Sequence, residues 1–560
     1  MKIFLAQQNY HIGNFEENTE KIIAAIREAK QRGGELVVFS ELAVCGYPPR
    51  DFLEFNDFIE RSLASIDMIA AETNDIAALV GAPSRNPAPE GKNLFNSAYF
   101  LYQGKIQAII NKTLLPNYDI FDEYRYFEPS FHWQVIEYKD KRLAVTICED
   151  IWDMGDDPLY RFKPMDKLIE QNPDLMINLS ASPFDYMHAE GRKSIVKKNV
   201  TKYGLPMVYC NAVGSQTEIV FDGGSIAMNA SGDIVAELPY FEEGLQAVEF
   251  TNERQFAESV IQSSDTVAAV ESISQSFNPN TGVDAIHRAL ITGIRDYFRK
   301  MNFKKAVVAS SGGIDSALVL ALACEALGAE NVRAILMPSQ FSSGHSISDA
   351  EKLSQNLNNP YDILPIKDIF YSYVHSLQPV FANLPFDVAE ENLQARIRGA
   401  MVMAISNKFG SILLNTSNKS ELATGYGTLY GDMAGGIGIL GDLYKMQVYA
   451  LAAYINRNRE IIPNNIITKA PSAELRPGQK DADSLPEYDI LDPILYQYIE
   501  LRKGPAEIIA AGNDPAVVAR ILKLVNNNEY KRNQFCPIIR VSPKAFGIGR
   551  RVPIVGKYLS

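Results

Sequence analysis

Residues Ala309-Ser310-Ser311-Gly312-Gly313-Ile314-Asp315-Ser316 bring together glycines, hydroxyls and one carboxylate. Gly312 and Gly313 lack a Cβ, so the backbone can bend freely there and approach a ligand closely. Ser311 and Ser316 add hydroxyl donors. The apolar residues Ala306, Val307 and Val308 run into the string, and the helical pattern of Ala317, Leu318, Leu320 and Leu322 runs out of it. The order is strand, tight turn, helix start. Free N–H groups at a helix N-terminus, on the positive end of its dipole, favour a phosphate. Asp315 would repel a bare phosphate, so its presence calls for a bridging cation such as Mg2+. The Walker A pattern G-x-x-x-x-G-K-[ST] is missing.

Three polar residues in the first half also stand where chemistry is presented. Glu41 follows the strand pattern Leu36-Val37-Val38-Phe39, Lys112 follows Ile106–Ile110, and Cys148 follows Leu143–Ile147. Strand ends are where α/β folds expose reactive groups. Taken singly, a strand-end cysteine is usually packing, and a lone lysine or glutamate is usually surface.

The elements that must carry these residues alternate along the chain. Strand patterns lie at Lys2–Gln7, Ile76–Gly81, Ser97–Leu101, Arg142–Ile147, Leu175–Leu179 and Met207–Asn211, and Phe15–Arg32 has helical spacing closed by Gly33-Gly34. Alternation with near-continuous apolar strands predicts an α/β layered fold. Residues 256–280 are rich in serine and asparagine and read as a linker between 1–255 and 281–560. Beyond it, strands at Val332–Met337, Tyr361–Leu364 and Ile412–Leu414 alternate with helices at Ile366–Gln378 and Ala389–Lys408. This predicts a doubly wound parallel sheet with a crevice at the carboxyl ends of its strands.

Bulk properties narrow the classes. The 560 residues suffice for roughly two to four domains. Lys+Arg 54 against Asp+Glu 67 gives a net charge of −13, so non-specific binding to nucleic acid or an anionic membrane is disfavoured. An anionic substrate would need local basic residues. The five cysteines include no C-x-x-C pair, which argues against a disulfide framework and a structural zinc site. No apolar run reaches membrane-spanning length, and the N-terminus reads as a strand rather than a signal peptide, so the cytoplasm is expected.

The phosphate string resembles the S-G-G-x-D-S loop of the N-type ATP pyrophosphatases. That resemblance implies ATP as substrate, split between its α and β phosphates, with adenylation of a substrate oxygen. Ser310, Ser311, Gly312, Gly313, Ile314, Asp315 and Ser316 are the implied ATP contacts. The segments Phe39-Ser40-Glu41-Leu42, Asn111-Lys112-Thr113-Leu114-Leu115-Pro116 and Ile147-Cys148-Glu149-Asp150-Ile151-Trp152 resemble the three signatures of the nitrilase superfamily, in that family's order. The resemblance implies a four-layer αββα sandwich that hydrolyses carboxamides or nitriles. It makes Cys148 the nucleophile, Glu41 the general base, Lys112 the oxyanion stabiliser and Glu123 a second site carboxylate. The chemistry agrees. A free thiol is only a few per cent ionised at neutral pH, a carboxylate can take its proton, and a fixed ammonium stabilises the tetrahedral anion.

Asn178–Phe184, followed by Gly191-Arg192-Lys193, resembles a narrower branch, the glutaminase domains of glutamine-dependent NAD synthetases. By this resemblance Tyr118, Ser182 and Arg192 hold glutamine, with Lys193 and His188 as alternatives to Arg192. Glu391–Gly399, Thr416–Glu421, Gly427–Asp432, Lys445, Pro471–Leu475 and Glu529–Arg532 extend the resemblance through the C-terminal half. It implies that Asn392, Glu421 and Lys531 contact deamido-NAD, Thr416 contacts ATP, Asp315 and Glu421 hold magnesium, and Lys445 and Ser472 touch phosphates. The implied reaction is amidation of deamido-NAD through an adenylate, using shielded ammonia from glutamine, in a symmetric oligomer paired through the synthetase domains. A different glutamine-dependent ligase on the same loop, or an amidase joined to a nucleotide sensor, is the competing reading.

Overall fold

The computed structural model describes residues 1–155, 159–257, 276–382, 384–479, 481–483 and 485–559. They fall into two units, one within Met1–Phe184 and His188–Ala269, the other within Asp185–Met187 and Val270–Ser560. Of the expected linker, residues 258–275 lie outside the described residues.

The first unit is built on two six-stranded sheets. One runs Gly244–Glu249, Lys2–Gln7, Leu36–Val38, Ala77–Arg85, Leu94–Tyr102, Lys105–Asn111. The other runs Ile234–Glu237, Ile226–Met228, Met207–Asn211, Leu175–Ser180, Lys141–Ile147, Ile136–Tyr138. Leu5, Val38, Leu79 and Phe100 of the first share a buried core with Val145, Ile177 and Val208 of the second. Helices Phe15–Gln31 and Asn56–Ala71 cover the outer face of the first sheet, and His188–Tyr203 covers the second. This is the expected αββα sandwich. The central strands are parallel: Lys2–Gln7 with Leu36–Val38 and Ala77–Arg85 in one sheet, and Lys141–Ile147 with Leu175–Ser180 and Met207–Asn211 in the other. Their carboxyl ends therefore share one edge in each sheet.

The second unit holds a five-stranded parallel sheet in the order Tyr361–Ile363, Val332–Leu336, Ala306–Ala309, Ile412–Asn415, Ile437–Gly438. Strand order reverses at Ala306–Ala309. Its neighbours are the second strand on one side and the fourth on the other. That reversal opens a crevice at the carboxyl ends, where Ser310–Ser316 and Thr416 emerge. Helices Val283–Lys300, Ile314–Leu327 and Lys445–Ile455 pack together, while Lys367–Phe381 and Val388–Phe409 pack with strand residues Val307, Ile335 and Leu413. The long helix starts at Val388 because the Asp387 side chain accepts from Ala389 N–H, and the Glu390 carboxylate accepts from Asp387 N–H. A further helical layer, Tyr488–Ile499, Pro505–Ala510 and Pro515–Asn527, buries Leu491, Leu495, Val518 and Leu522. Among the described residues, no helix is long and apolar enough to cross a membrane.

Candidate active sites

In the first unit, strand Lys141–Ile147 delivers Cys148 into a short 3₁₀ turn, Cys148–Ile151. Cys148 is buried and has φ +42, the left-handed region that costs a non-glycine residue about 1–3 kcal/mol. Asp150 holds that geometry. Its carboxylate accepts from Ile147 N–H at 3.0 Å, and from Thr113 N–H and Leu114 N–H at 3.1 and 2.8 Å. One side chain thus ties the cysteine turn to the turn that carries Lys112. Burial pushes the Asp150 carboxyl up to about 6 despite those donors.

Lys112 is fully buried. Its Nζ lies 2.7 Å from Glu41 Oε1 and 2.9 and 2.8 Å from the two Glu123 oxygens. Burial works to lower this ammonium, but Glu123 and Glu41 outweigh it and hold the group well above the ordinary lysine range. Burial, countered in part by Lys112 and reinforced by Glu41, raises Glu123 to about 7. Asn96 Nδ2 donates to Glu41 and Glu123, Tyr47 Oη donates to Glu123 Oε1, and Ala181 N–H donates to Glu41 Oε2. The turn carrying Glu41 lies against Gly81, where a Cβ would sit 2.4 Å from Leu42 N. Burial and then Glu41 push the Cys148 thiol well above its ordinary range. At rest Cys148 is therefore a thiol, and any attack by its sulfur requires a base to take the proton.

Beside Cys148, the Glu149 carboxylate accepts from Tyr118 Oη at 2.9 Å and from Tyr160 Oη at 3.1 Å. Burial raises its carboxyl further than Lys112 and the two hydroxyls lower it. Sequence reasoning assigned no role to Glu149, Asp150, Tyr160 or Asn96. The first two were visible only as neighbours of Cys148. Ser182 is buried, with its N–H on Asn211 Oδ1 at 2.9 Å. Arg192 is buried too, and is committed to Asp222 Oδ1 at 2.5 Å and Gly223 O at 2.8 Å, while its Nε has no hydrogen-bond partner among the described residues. Lys193 pairs with Glu237 at 3.0 Å. The side chain of His188 lies outside the described residues.

In the second unit, Ser310 N–H donates to Ile335 O at 2.9 Å as the chain leaves its strand. Gly312 has φ +78, and a Cβ there would lie 2.2 Å from Ser346 O. Gly313 caps helix Ile314–Leu327. The Ser311 and Ser316 hydroxyls brace the loop: Gly313 N–H donates to Ser311 Oγ, Ser311 N–H to Ser316 Oγ, and Ser316 Oγ to Gly313 O. Asp315 accepts from Lys445 Nζ at 2.6 Å and Asn418 Nδ2 at 2.9 Å. Lys445 also lies 3.8 Å from Glu421. Burial and then Asp315 raise the Glu421 carboxyl well above its ordinary range. Asp492 sets the start of the Lys445 helix, accepting from Met446 N–H and from Ser420 Oγ, which itself accepts from Lys445 N–H.

The phosphate loop lines a cavity together with Thr416, Glu421, Lys445, Arg398 and Lys469. Ser472 lines it as well, but its hydroxyl donates to Gln479 O at 2.5 Å. Asn392 and Lys531 are not among the lining residues. Thr428 Oγ1 donates to Asn392 Oδ1 at 2.7 Å, and Lys531 Nζ donates to Gly425 O and Gly427 O at 2.7 and 2.9 Å. Both therefore hang on the loop that follows the Glu421 helix, whose Gly425 and Tyr426 N–H groups donate to Glu421 O. Among the described residues, no group of three or more His, Cys, Asp or Glu is placed to hold a metal ion.

Residues 2–256 match the carbon-nitrogen hydrolase family and residues 286–535 the NAD synthase family. The glutamine-dependent NAD(+) synthetase of Synechocystis is 44% identical over 561 residues, covering 99% of this chain and 98% of that protein. The chain belongs to the glutamine-dependent NAD(+) synthetase family. The synthetase of Thermotoga maritima is 41% identical over 579 residues, covering 100% of this chain and 99% of its own. Among solved structures, the glutamine-dependent NAD+ synthetase from Acinetobacter baumannii, in complex with ADP, matches with a TM-score of 0.77 at 37% identity, over 99% of this chain and 98% of that one. The synthetase from Cytophaga hutchinsonii shares the fold, with a TM-score of 0.83 at 20% identity over 100% and 98%.

Two substitutions test this geometry. Gly312→Ala forces the loop off Ser346, so pyrophosphate release should fall at least about 100-fold while glutamine hydrolysis continues. Asp150→Asn places an amide N–H against backbone donors. Glutamine hydrolysis should fall about 100-fold in kcat, with ammonium-dependent NAD formation retained.

Proposed function

We propose that this protein amidates deamido-NAD to NAD in two half-sites. In the synthetase site, a carboxylate oxygen of deamido-NAD attacks the α-phosphate of ATP. The bond to the β-phosphate breaks, pyrophosphate leaves and an adenylate remains. Ammonia then attacks the acyl carbon and AMP leaves. In the glutaminase site, the Cys148 sulfur attacks the glutamine amide carbon as Glu41 takes the thiol proton. Lys112 holds the oxyanion, Glu41 returns the proton to the departing ammonia, and water activated by Glu41 cleaves the thioester to glutamate. Glu123 keeps Lys112 charged and aimed. Ammonia at neutral pH is mostly protonated and not nucleophilic, so it is passed on shielded from water.

The observation that carries this reading is the pairing, in one chain, of a buried Lys112 bridging Glu41 and Glu123 beside Cys148 with a glycine-rich loop at a sheet switch point. The ATP contacts are Ser310–Ser316 and Thr416. Asn392, Glu421 and Lys531 are assigned to deamido-NAD, and Tyr118, Ser182 and Arg192 to glutamine. Glu149, steadied by two tyrosines, supplies a negative charge suited to the α-ammonium of glutamine.

The donor set fits a magnesium ion. Asp315 and Glu421 lie 2.6 and 3.8 Å from a single Lys445, and burial and then Asp315 raise Glu421. Asp315 and Glu421 would hold Mg2+ together with phosphate oxygens, because the protein alone lacks enough ligands. The ion would neutralise triphosphate charge. We assign residues 1–255 to the glutaminase, 256–280 to the linker and 281–560 to the synthetase, acting as a homo-oligomer.

Cys148→Ala should abolish NAD formation with glutamine and leave it intact with ammonium chloride. Loss of both together would overturn the division of labour. Glu149→Gln should raise the KM for glutamine about 10-fold or more, with ammonium-dependent turnover unchanged. An unchanged KM would remove Glu149 from substrate recognition.

A further inference from the structure

Arg398 projects from helix Val388–Phe409 and lines the cavity of the phosphate loop. Its Nε donates to Met337 O at 2.9 Å, just beyond strand Val332–Leu336. That strand pairs in parallel with Ala306–Ala309, which leads into the loop. A guanidinium offers five N–H donors. Among the described residues, this one donation is its hydrogen bonding, and no carboxylate forms an ion pair with it. Burial lowers its affinity for the proton to a pKa of about 10, with Asp432 and Glu474 offsetting only part of that effect from a distance.

Arg398 is half-buried at the cavity wall, and a cation held there without an ion-paired carboxylate is placed to receive an anion. The other cations lining the cavity are engaged. Lys445 is paired with Asp315 at 2.6 Å, and Lys469 donates to Ser346 Oγ at 2.8 Å. Arg398 is anchored through Nε alone, which fixes the plane of its fork and leaves both Nη groups open. Two parallel N–H donors match the paired oxygens of a phosphate.

Resting on the function proposed above, we infer that Arg398 binds phosphate in the ATP site, its Nη groups gripping the β- and γ-phosphates that leave as pyrophosphate. When the bond from the α-phosphorus breaks, its electron pair goes to the β-phosphate oxygen, and a fixed guanidinium stabilises that growing charge. The pyrophosphate bridge of deamido-NAD offers the same chemistry. ATP is favoured because Asn392 and Lys531, assigned to the dinucleotide, do not line this cavity, whereas the ATP loop and Thr416 do.

The test compares the full-length wild type with Arg398→Lys and Arg398→Met. NAD formation from ammonium chloride is measured with ATP and deamido-NAD varied separately. Binding of magnesium pyrophosphate is measured by calorimetry, which needs no turnover. In Arg398→Met the KM for ATP and the Kd for pyrophosphate should both rise about 10- to 100-fold, with the KM for deamido-NAD within about twofold of wild type. Arg398→Lys should fall between, since it keeps the charge and loses the fork. If Arg398→Met melts well below wild type, the lysine variant carries the comparison. Unchanged values for ATP and pyrophosphate would overturn the inference, as would a rise confined to deamido-NAD. If wild type binds pyrophosphate but forms no NAD, the proposed reaction fails while the phosphate assignment is still decided by the binding data.

Discussion

A buried ammonium shared by two carboxylates is the interaction on which the first unit depends. Lys112, Glu41 and Glu123 have side chains 0%, 0% and 5% exposed. Removing one partner from such a set costs about 3–5 kcal/mol, because the remaining charge stays buried and unpaired. The fold therefore has to deliver all three together. It does so with the carboxyl end of one central strand, the turn after an edge strand, and a short helix, stitched by Asn96 and Tyr47. The same arrangement keeps Lys112 charged in a dry core, where a positive group acts most strongly on an oxyanion.

The second unit uses the same components with a different balance. Lys445 is as deeply buried as Lys112, but its partners Asp315 and Glu421 are 17% and 18% exposed. In the reaction proposed here, those carboxylates would exchange an internal ion pair for a metal and phosphates arriving from the cavity. A closed cluster suits a fixed catalytic charge. An open one suits a charge that must be traded on binding.

Much of this was legible in the sequence, and the limits are physical. Glu41, Lys112 and Cys148 sit in local segments with family character, and the loop around Gly312 declares its own geometry. The layered architectures follow from strand and helix periodicity. Asp150, Asn96 and Tyr160 were not legible, because their roles depend on strand register and on backbone N–H groups that a sequence does not display. Arg192 stands in a segment the sequence singled out, but its tie to Asp222 was not legible. Asn392 and Lys531 share a loop that only the three-dimensional fold reveals. Arg398 lay within the segment Glu391–Gly399, and what distinguishes it is that no carboxylate among the described residues forms an ion pair with it.

The three N–H groups gathered by Asp150 have a consequence for how this site tolerates change. The lysine turn and the cysteine turn share one fastener. Loss of the Asp150 carboxylate releases both turns together. Because all three donors are backbone N–H groups, the fastener outlasts side-chain replacement at Thr113, Leu114 and Ile147, and the joint between two segments distant in the chain rests on the Asp150 carboxylate alone.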